Sequence, residues 1–136
     1  MLLGLTNPIP QNLADGFGMI CASKAALEMY IKYLAMELGP KGYRVNLLNF
    51  GLVETTAVRR AFSDADWKMV TDLVSSIAPM RRIQTCDEVA EFIMASLLRP
   101  EARYLNGATI DYTGAQAQSL LDMIFSYRKY GITRKT

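Results

Sequence analysis

Residues 21–27 bring together the side chains of this sequence whose types could do chemistry: the thiol of Cys21, the hydroxyl of Ser23 and the ammonium of Lys24. The 136 residues include no histidine, which removes the commonest general base and the commonest zinc ligand, and no metal site is predicted. Without a base to activate it, Ser23 is predicted to pack against the helix rather than act as a nucleophile. Cys21 is an alternative nucleophile, because a thiol near an ammonium can be reactive. Lys24 is either a binding cation or a helix residue that is solvated or paired with a carboxylate.

A long helix between two short strands must position Lys24. Small and apolar residues recur at three- and four-residue spacing over 17–38, which predicts a helix that Gly39 and Pro40 end. The apolar runs 2–6 and 44–50 on either side of it predict strands. The first is predicted to be a buried strand, apolar on both faces, that lies at an edge of the sheet. Two strands joined by a long helix pair in parallel, so their carboxyl ends meet at one edge of the sheet.

The rest of the chain continues the alternation of helices and strands. Helices are predicted over 57–77, over 87–98 with Asp87 as the cap, and over 116–127, and a third strand is predicted over 108–112. This alternation predicts an α/β fold: a partial Rossmann-type, doubly wound parallel sheet of about three strands covered by helices.

Composition excludes several classes of function. The formal charge is only +2 and no run of basic residues is dense, so nucleic acid is not expected as a partner. The apolar runs are too short to cross a bilayer, so a membrane is not expected either. Cys21 and Cys86 are predicted to be reduced core thiols rather than a disulfide, and no signal peptide is recognised at residues 1–10. A cytoplasmic protein is therefore predicted.

Several motifs, in this order, resemble the second half of the short-chain dehydrogenase/reductase family. Residues 20–27 are similar to its Tyr-x-Ala-Ser-Lys-Ala-Ala-Leu helix, and residues 38–46 to its Leu-Gly-Pro-x-Gly-Ile-Arg-Val-Asn. Residues 50–55 resemble its Pro-Gly-x-Val-x-Thr loop, and residues 79–90 its Pro-x-x-Arg-x-x-x-x-x-Glu-Val-Ala segment. The resemblance implies that residues 1–115 are the carboxyl-terminal half of a Rossmann-type domain. Residues 116–136 would then form a carboxyl-terminal helix and a basic tail.

The resemblance implies a catalytic role for Lys24 and also a missing partner. In the family this lysine binds the nicotinamide ribose and supports a tyrosine that moves a proton as hydride passes to or from a carbonyl carbon. Four residues before Lys24, at the tyrosine position, this chain has Ile20. The enoyl-acyl-carrier-protein reductase branch, which the helix also resembles, has its tyrosine seven residues before the lysine, where this chain has Phe17. Asn7 falls at the position of the family's serine, and its amide can donate to a substrate oxygen.

The resemblance also implies part of a cofactor site for NAD or NADP. Gly51, Val53 and Thr55 lie in the loop that in the family meets the nicotinamide carboxamide, although Thr55 suits a helix cap equally well. The family's glycine-rich turn, which sets a helix N-terminus against the pyrophosphate, belongs to its first half. None of Gly4, Gly16 and Gly18 lies in such a turn.

These observations predict an NAD(P)-dependent oxidoreductase-like chain of the family that lacks the catalytic tyrosine and the glycine-rich half, and that is inactive alone. Two alternatives stay open: a non-catalytic interaction module that pairs with a reductase or with a separate amino-terminal half, and a truncated fragment without function. The expected partners are a second copy of the chain or a complementary amino-terminal half, with a small-molecule or acyl substrate if the protein is active.

Overall fold

Three parallel strands form the sheet in the order β1-β2-β3. The structure, a computed structural model, describes residues 1–7, 18–60 and 62–115. The strands are β1 (Leu2–Thr6), β2 (Val45–Phe50) and β3 (Thr109–Tyr112). The predicted α/β class, the parallel pairing and the three strands are confirmed, and each strand starts within one residue of its predicted position. The helix predicted over 116–127 and the basic tail lie outside the described residues.

The long helix α1, Gly18–Leu38, packs on the sheet. Its buried side chains Ile31 and Ala35 form the core together with Val45 and Leu47 of β2. Full burial of an aliphatic side chain contributes about 1.5–3 kcal/mol, so this contact is a main source of the fold's stability. The predicted helix is confirmed, although Phe17, its first predicted residue, lies outside the described part of the chain.

Gly4 of β1 allows α1 and β2 to approach closely. A Cβ atom at Gly4 would lie 2.9 Å from Leu47 Cδ1 and 3.0 Å from Ile31 Cδ1, which is closer than side-chain carbons normally come. The remainder of β1 is less covered, because Leu2 is 48% and Leu5 is 45% exposed. The prediction that β1 is a buried strand was therefore wrong, because these two side chains are left uncovered, whereas its predicted place at an edge of the sheet is confirmed within the described residues.

Two helices, α2 (Thr56–Arg60) and α3 (Asp64–Ile77), replace the single helix predicted over 57–77. The reason is Ser63, whose hydroxyl accepts a hydrogen bond from the backbone N–H of Asp66 and so starts a new helix. Arg59 of α2 forms an ion pair with Asp64 of α3, which joins the two helices, and a further ion pair with Glu54. Its guanidinium lies 5.6 Å from the ring centroid of Trp67.

The helix α4 spans Cys86–Phe92 and continues into a wider π-helical turn, Ile93–Leu97, and a short 3-10 helix, Pro100–Tyr104, follows. Its cap is Thr85, which exchanges hydrogen bonds with Glu88 in a capping box. The prediction that Asp87 is the cap was wrong, because Thr85 is the last residue with extended backbone before the helix.

A closed set of side-chain hydrogen bonds joins the strand ends at the amino edge of the sheet. The carboxamide of Asn106 accepts from Val45 N at 2.8 Å and donates to Ala35 O at 3.1 Å. The carboxamide of Asn46, which is fully buried, donates to Leu105 O at 2.9 Å and accepts from Ala108 N at 3.1 Å. The guanidinium of Arg44 donates to the carbonyls of Ala102 and Leu97 at 2.7 and 2.8 Å.

Candidate functional site

The carboxyl edge of the sheet, where β1, β2 and β3 end, is where the candidate site lies. α1 brings the half-buried Lys24 to this edge, and its ammonium donates to Leu5 O of β1 at 3.1 Å. An ammonium has three N–H donors, and this contact engages one of them. The contact places the ammonium on a backbone carbonyl at a strand end, and both roles predicted for Lys24 stay predictions.

The positions that the resemblance assigns to the serine and the tyrosine lie near the same edge. Asn7 directly follows β1 and is half-buried, and Thr6 before it is buried. Ile20 lies in the first turn of α1 and is 44% exposed. Phe17, the other tyrosine position, lies outside the described residues. Ser23 donates its hydroxyl hydrogen to Ile20 O at 2.8 Å, which agrees with the helix-packing role predicted for it.

The loop after β2 carries the three predicted cofactor contacts. Gly51 and Val53 are buried, so their backbone is held against the rest of the protein. The hydroxyl of Thr55 accepts from Val58 N at 3.1 Å, which caps α2. Of the two roles predicted for Thr55, the structure shows the helix cap.

Gln84 belongs to this edge as well, and the sequence did not reveal it. Its Oε1 accepts from Gly51 N at 2.8 Å, and its Nε2 donates to Tyr112 O at 2.7 Å. Its backbone N–H also donates to Leu52 O at 3.1 Å, next to an isolated parallel bridge between Gln84 and Val53. These bonds join residues about 30 apart in sequence, so no local pattern indicates them.

Asn49 contributes a buried acceptor to the same edge. It is 1% exposed and lies in register between Thr6 of β1 and Asp111 of β3. Its Nδ2 donates to Asp111 Oδ1 at 2.6 Å, whereas its Oδ1 is buried and has no hydrogen-bond partner among the described residues. Such an acceptor costs about 1–3 kcal/mol unless a donor satisfies it. This oxygen could therefore accept a hydrogen bond from an additional donor.

Taken together, these groups fit one end of a dinucleotide. A half-engaged ammonium suits ribose hydroxyls, and a buried loop backbone suits a carboxamide. Lys24 would hold the ribose and the 51–53 backbone would hold the nicotinamide. The sequence has no glycine-rich turn after a strand for the pyrophosphate, so the fit covers the nicotinamide end alone.

A depression in the protein surface lies beside this edge, at the end of β3. It has a volume of about 440 Å³, and residues from the turn before α4 and from the end of β3 line it. The guanidinium of Arg82 forms a hydrogen-bonded ion pair there with Glu88, with an N–O distance of 2.8 Å. This hydrogen bond, aided by the backbone N–H of Thr85, lowers the pKa of Glu88 to about 2, and the carboxylate in turn raises the pKa of Arg82.

Other kinds of site are not found in the described part of the chain. No group of cysteine, aspartate and glutamate side chains there could hold a metal ion, and no helix in residues 18–60 or 62–115 is long and apolar enough to cross a membrane. Cys21 and Cys86 do not form a disulfide. Cys86 is exposed, with its Sγ 3.4 Å from Glu54 O, so its prediction as a core residue was wrong.

The comparisons with known proteins agree on one family. A family model described as enoyl-(acyl carrier protein) reductase matches residues 8–114. Dehydrogenase OXI1 of Cochliobolus heterostrophus is 34% identical over 71% of this chain and 42% of its own length. The enoyl-[acyl-carrier-protein] reductase [NADH] FabI of Bacillus cereus is 30% identical over 72% of this chain and 38% of its own length.

A solved structure agrees with these relatives. An NADPH-bound short-chain oxidoreductase from Pseudomonas aeruginosa PAO1, described as containing an atypical catalytic center, superposes with a TM-score of 0.68 and 29% identity. The match covers 82% of this chain and 44% of that one. The chain thus spans less than half the length of each of these proteins. The family model, the relatives and the sheet topology agree, and the chain belongs to the short-chain dehydrogenase/reductase family of NAD(P)-dependent oxidoreductases.

Proposed function

We propose that this chain supplies the nicotinamide end of a short-chain dehydrogenase/reductase cofactor site and lacks the proton donor that the reaction needs. The observation that carries the proposal is the 3.1 Å contact from Lys24 Nζ to Leu5 O, which holds an ammonium at the carboxyl edge of the sheet. The loop of Gly51 and Val53 leaves β2 at that same edge, so a cation and a buried backbone segment lie on the side where open α/β sheets bind ligands.

Each group has a distinct part in this function. Lys24 donates to the ribose hydroxyls, and the backbone of residues 51–53 orients the carboxamide. When bound, the nicotinamide supplies or accepts the hydride. Asn7 donates its amide N–H to the substrate oxygen. Ile20 and Phe17, at the two tyrosine positions, carry no transferable proton, and loss of a positioned acid costs about 10²–10⁴ in rate.

The glycine-rich half that completes a dinucleotide site comes, in this proposal, from a complementary segment that carries the first half of the fold. The exposed side chains of β1 support it, because Leu2 and Leu5 are each nearly half exposed on an edge strand. The proposed substrate class is a carbonyl compound or an enoyl thioester, and the match to a family model described as enoyl-(acyl carrier protein) reductase supports the second of these.

Nucleotide binding tests the proposal. If this chain contacts only the nicotinamide end, reduced nicotinamide mononucleotide and NADPH bind the purified chain with dissociation constants within about threefold of each other, because the adenosine half gains no contact. Calorimetric titration measures both constants. The Lys24→Met variant loses about tenfold in affinity for both, the size of a charged hydrogen bond. The exposed Lys41, in the turn Gly39–Lys41 at the amino edge, is the matched control, and Lys41→Met binds as the parent does.

Turnover tests the missing donor separately. The chain, with NADPH and a ketone or an enoyl thioester, is expected to show no oxidation of the nucleotide above background at 340 nm. Clear turnover by the purified chain overturns the proposal, and so does NADPH binding that is much tighter than binding of the mononucleotide.

A second candidate function is a non-catalytic interaction module, supported by the outer face of α1. Seven side chains on this face are exposed although most are apolar: Ala22, Ala25, Ala26, Met29, Tyr30, Tyr33 and Met36. A patch of this kind is typical of protein interfaces, so a second copy of the chain or a reductase would cover it. Light scattering tests this function: Met29→Lys with Tyr33→Lys shifts an oligomer towards the monomer, whereas a parent that is already monomeric and well dispersed contradicts it.

A further inference from the structure

Gln84 connects two parts of the carboxyl edge that the strand ladder does not join. Its carboxamide has one partner on each side: Oε1 accepts from Gly51 N at 2.8 Å, and Nε2 donates to Tyr112 O at 2.7 Å. Gly51 follows β2 and Tyr112 ends β3, so the side chain spans the place where the β2–β3 ladder stops. A carboxamide can do this because it carries both a donor and an acceptor.

The backbone of Gln84 adds a second connection. Its N–H donates to Leu52 O at 3.1 Å, and Val53 and Gln84 form a parallel bridge. Backbone groups of successive residues in extended chain point to alternate sides. Because the carbonyl of Leu52 points towards Gln84, the N–H and C=O of Val53 are turned to the opposite side. The loop therefore presents the backbone of Val53 in a fixed direction.

Tyr112, whose carbonyl accepts the hydrogen bond from Gln84 Nε2, is itself held in place. The ring of Tyr112 stacks on Phe92 of α4 with a centroid distance of 4.1 Å and an interplanar angle of 8°. Gln84 itself directly precedes Thr85, the cap of α4. The 51–53 loop is thus connected to the end of β3 and to the start of α4, and these two elements fix its position.

We infer that Gln84 is the positioning residue of the cofactor loop, which it holds so that the backbone of Val53 meets the carboxamide of a nicotinamide. The inference deepens the proposed function and rests on it. Gln84 does not touch the nucleotide in this account, and acts through the loop backbone. Its loss therefore changes how well the protein distinguishes a carboxamide from a group of similar shape, and not only how stable the protein is.

The test compares two nucleotides: reduced nicotinamide mononucleotide, and its 3-acetylpyridine counterpart, in which a methyl group replaces the amide NH₂. The parent chain is expected to prefer the carboxamide about fivefold, which corresponds to one ordinary hydrogen bond of about 1 kcal/mol. Gln84→Met, which is similar in length but lacks both polar atoms, erases this preference. Gln84→Glu keeps the acceptor for Gly51 N but turns an oxygen towards Tyr112 O, and reduces the preference.

Asn106→Leu is the matched control, because Asn106 is also a carboxamide that joins two backbone groups, but at the amino edge. Asn106→Leu is expected to lower the melting temperature and to leave the fivefold preference unchanged. If the role of Gln84 were only structural, Gln84→Met would show this same pattern. A parent that binds neither nucleotide contradicts the proposed function itself. A parent that binds both equally contradicts the carboxamide contact on which the proposed function and the role of Gln84 both depend. A Gln84→Met variant that keeps the preference overturns the role of Gln84 alone.

Discussion

The two edges of the sheet are built from the same kinds of side chain and differ in how completely these are satisfied. At the amino edge, both polar atoms of the Asn46 carboxamide have backbone partners, as do both of Asn106. At the carboxyl edge, Asn49 is about as buried as Asn46. Its Nδ2 has a partner, and its Oδ1 has none within the described ranges. Lys24 likewise meets β1 through a single carbonyl, that of Leu5.

The difference indicates that the two ends of the strands have different roles. A network in which each polar atom has a partner stabilises the fold and offers little to another molecule. An edge with an orphaned acceptor and a half-engaged ammonium is less stable by itself and suits a ligand. In the proposed function the amino edge is therefore the structural end of the sheet and the carboxyl edge its binding end, the edge at which open α/β sheets generally bind ligands.

The largest expected effect is at the amino edge. Asn46→Leu removes a fully buried carboxamide and leaves Leu105 O and Ala108 N, which are partly buried, without their partner. Each such group costs about 1–3 kcal/mol, so we expect the free energy of unfolding to fall by about 2–5 kcal/mol. Urea denaturation followed by circular dichroism measures it. A loss below 1 kcal/mol would mean that water replaces the carboxamide and that this edge is not closed.

Asn49→Leu sharpens the comparison, because it makes the same substitution at the other edge. It removes the hydrogen bond to Asp111, which is exposed and can be solvated, and it also removes the orphaned Oδ1. These effects oppose each other, so we expect a change within about 1 kcal/mol of the parent. The same urea experiment measures it, and a loss as large as that of Asn46→Leu would show that the two edges are equivalent.

The smallest expected effect concerns pH and Glu88. Its pKa in the folded protein is about 2, below the ordinary value of 4.5, because Arg82 and the Thr85 backbone N–H bind the carboxylate. Between these two values the unfolded chain binds more protons, so the stability contributed by Glu88 is present above pH 4.5 and is lost as pH falls towards 2.

Comparison with Glu88→Gln isolates this term, because glutamine keeps an acceptor for the capping box but has no charge. The melting temperature of the parent should exceed that of the variant near pH 6, and the two should converge near pH 2. The difference will be small, since the pair is solvent-exposed. A constant difference across the whole range would show that the charge of Glu88 is not what matters.

Local patterns in the sequence predicted most of the fold. Apolar runs located the strands to within one residue, and the spacing of small residues predicted α1, the helix that carries Lys24. The break between α2 and α3 was missed, although Ser63 followed by Asp66 is a helix-start signal. In that segment the apolar periodicity continues through the break and concealed it.

The contacts that organise the edges could not be predicted in this way. Asn106 and Val45 are separated by 61 residues, and Gln84 and Gly51 by 33. A single sequence does not show which side-chain carboxamide faces which backbone group, because that depends on how the strands and turns meet in space. The family resemblance identified the 51–55 loop and could not indicate the side chain that holds it.

A nuclear magnetic resonance titration with reduced nicotinamide mononucleotide tests the central claim most directly. In amide spectra of the labelled chain, the account predicts shifts that cluster at the carboxyl edge, at Thr6, Gly51, Leu52 and Val53. The amides of Gly39 and Gly107, at the amino edge, should stay unchanged. Shifts centred on the amino edge, or none at millimolar nucleotide, would contradict the assignment of the carboxyl edge as the binding end.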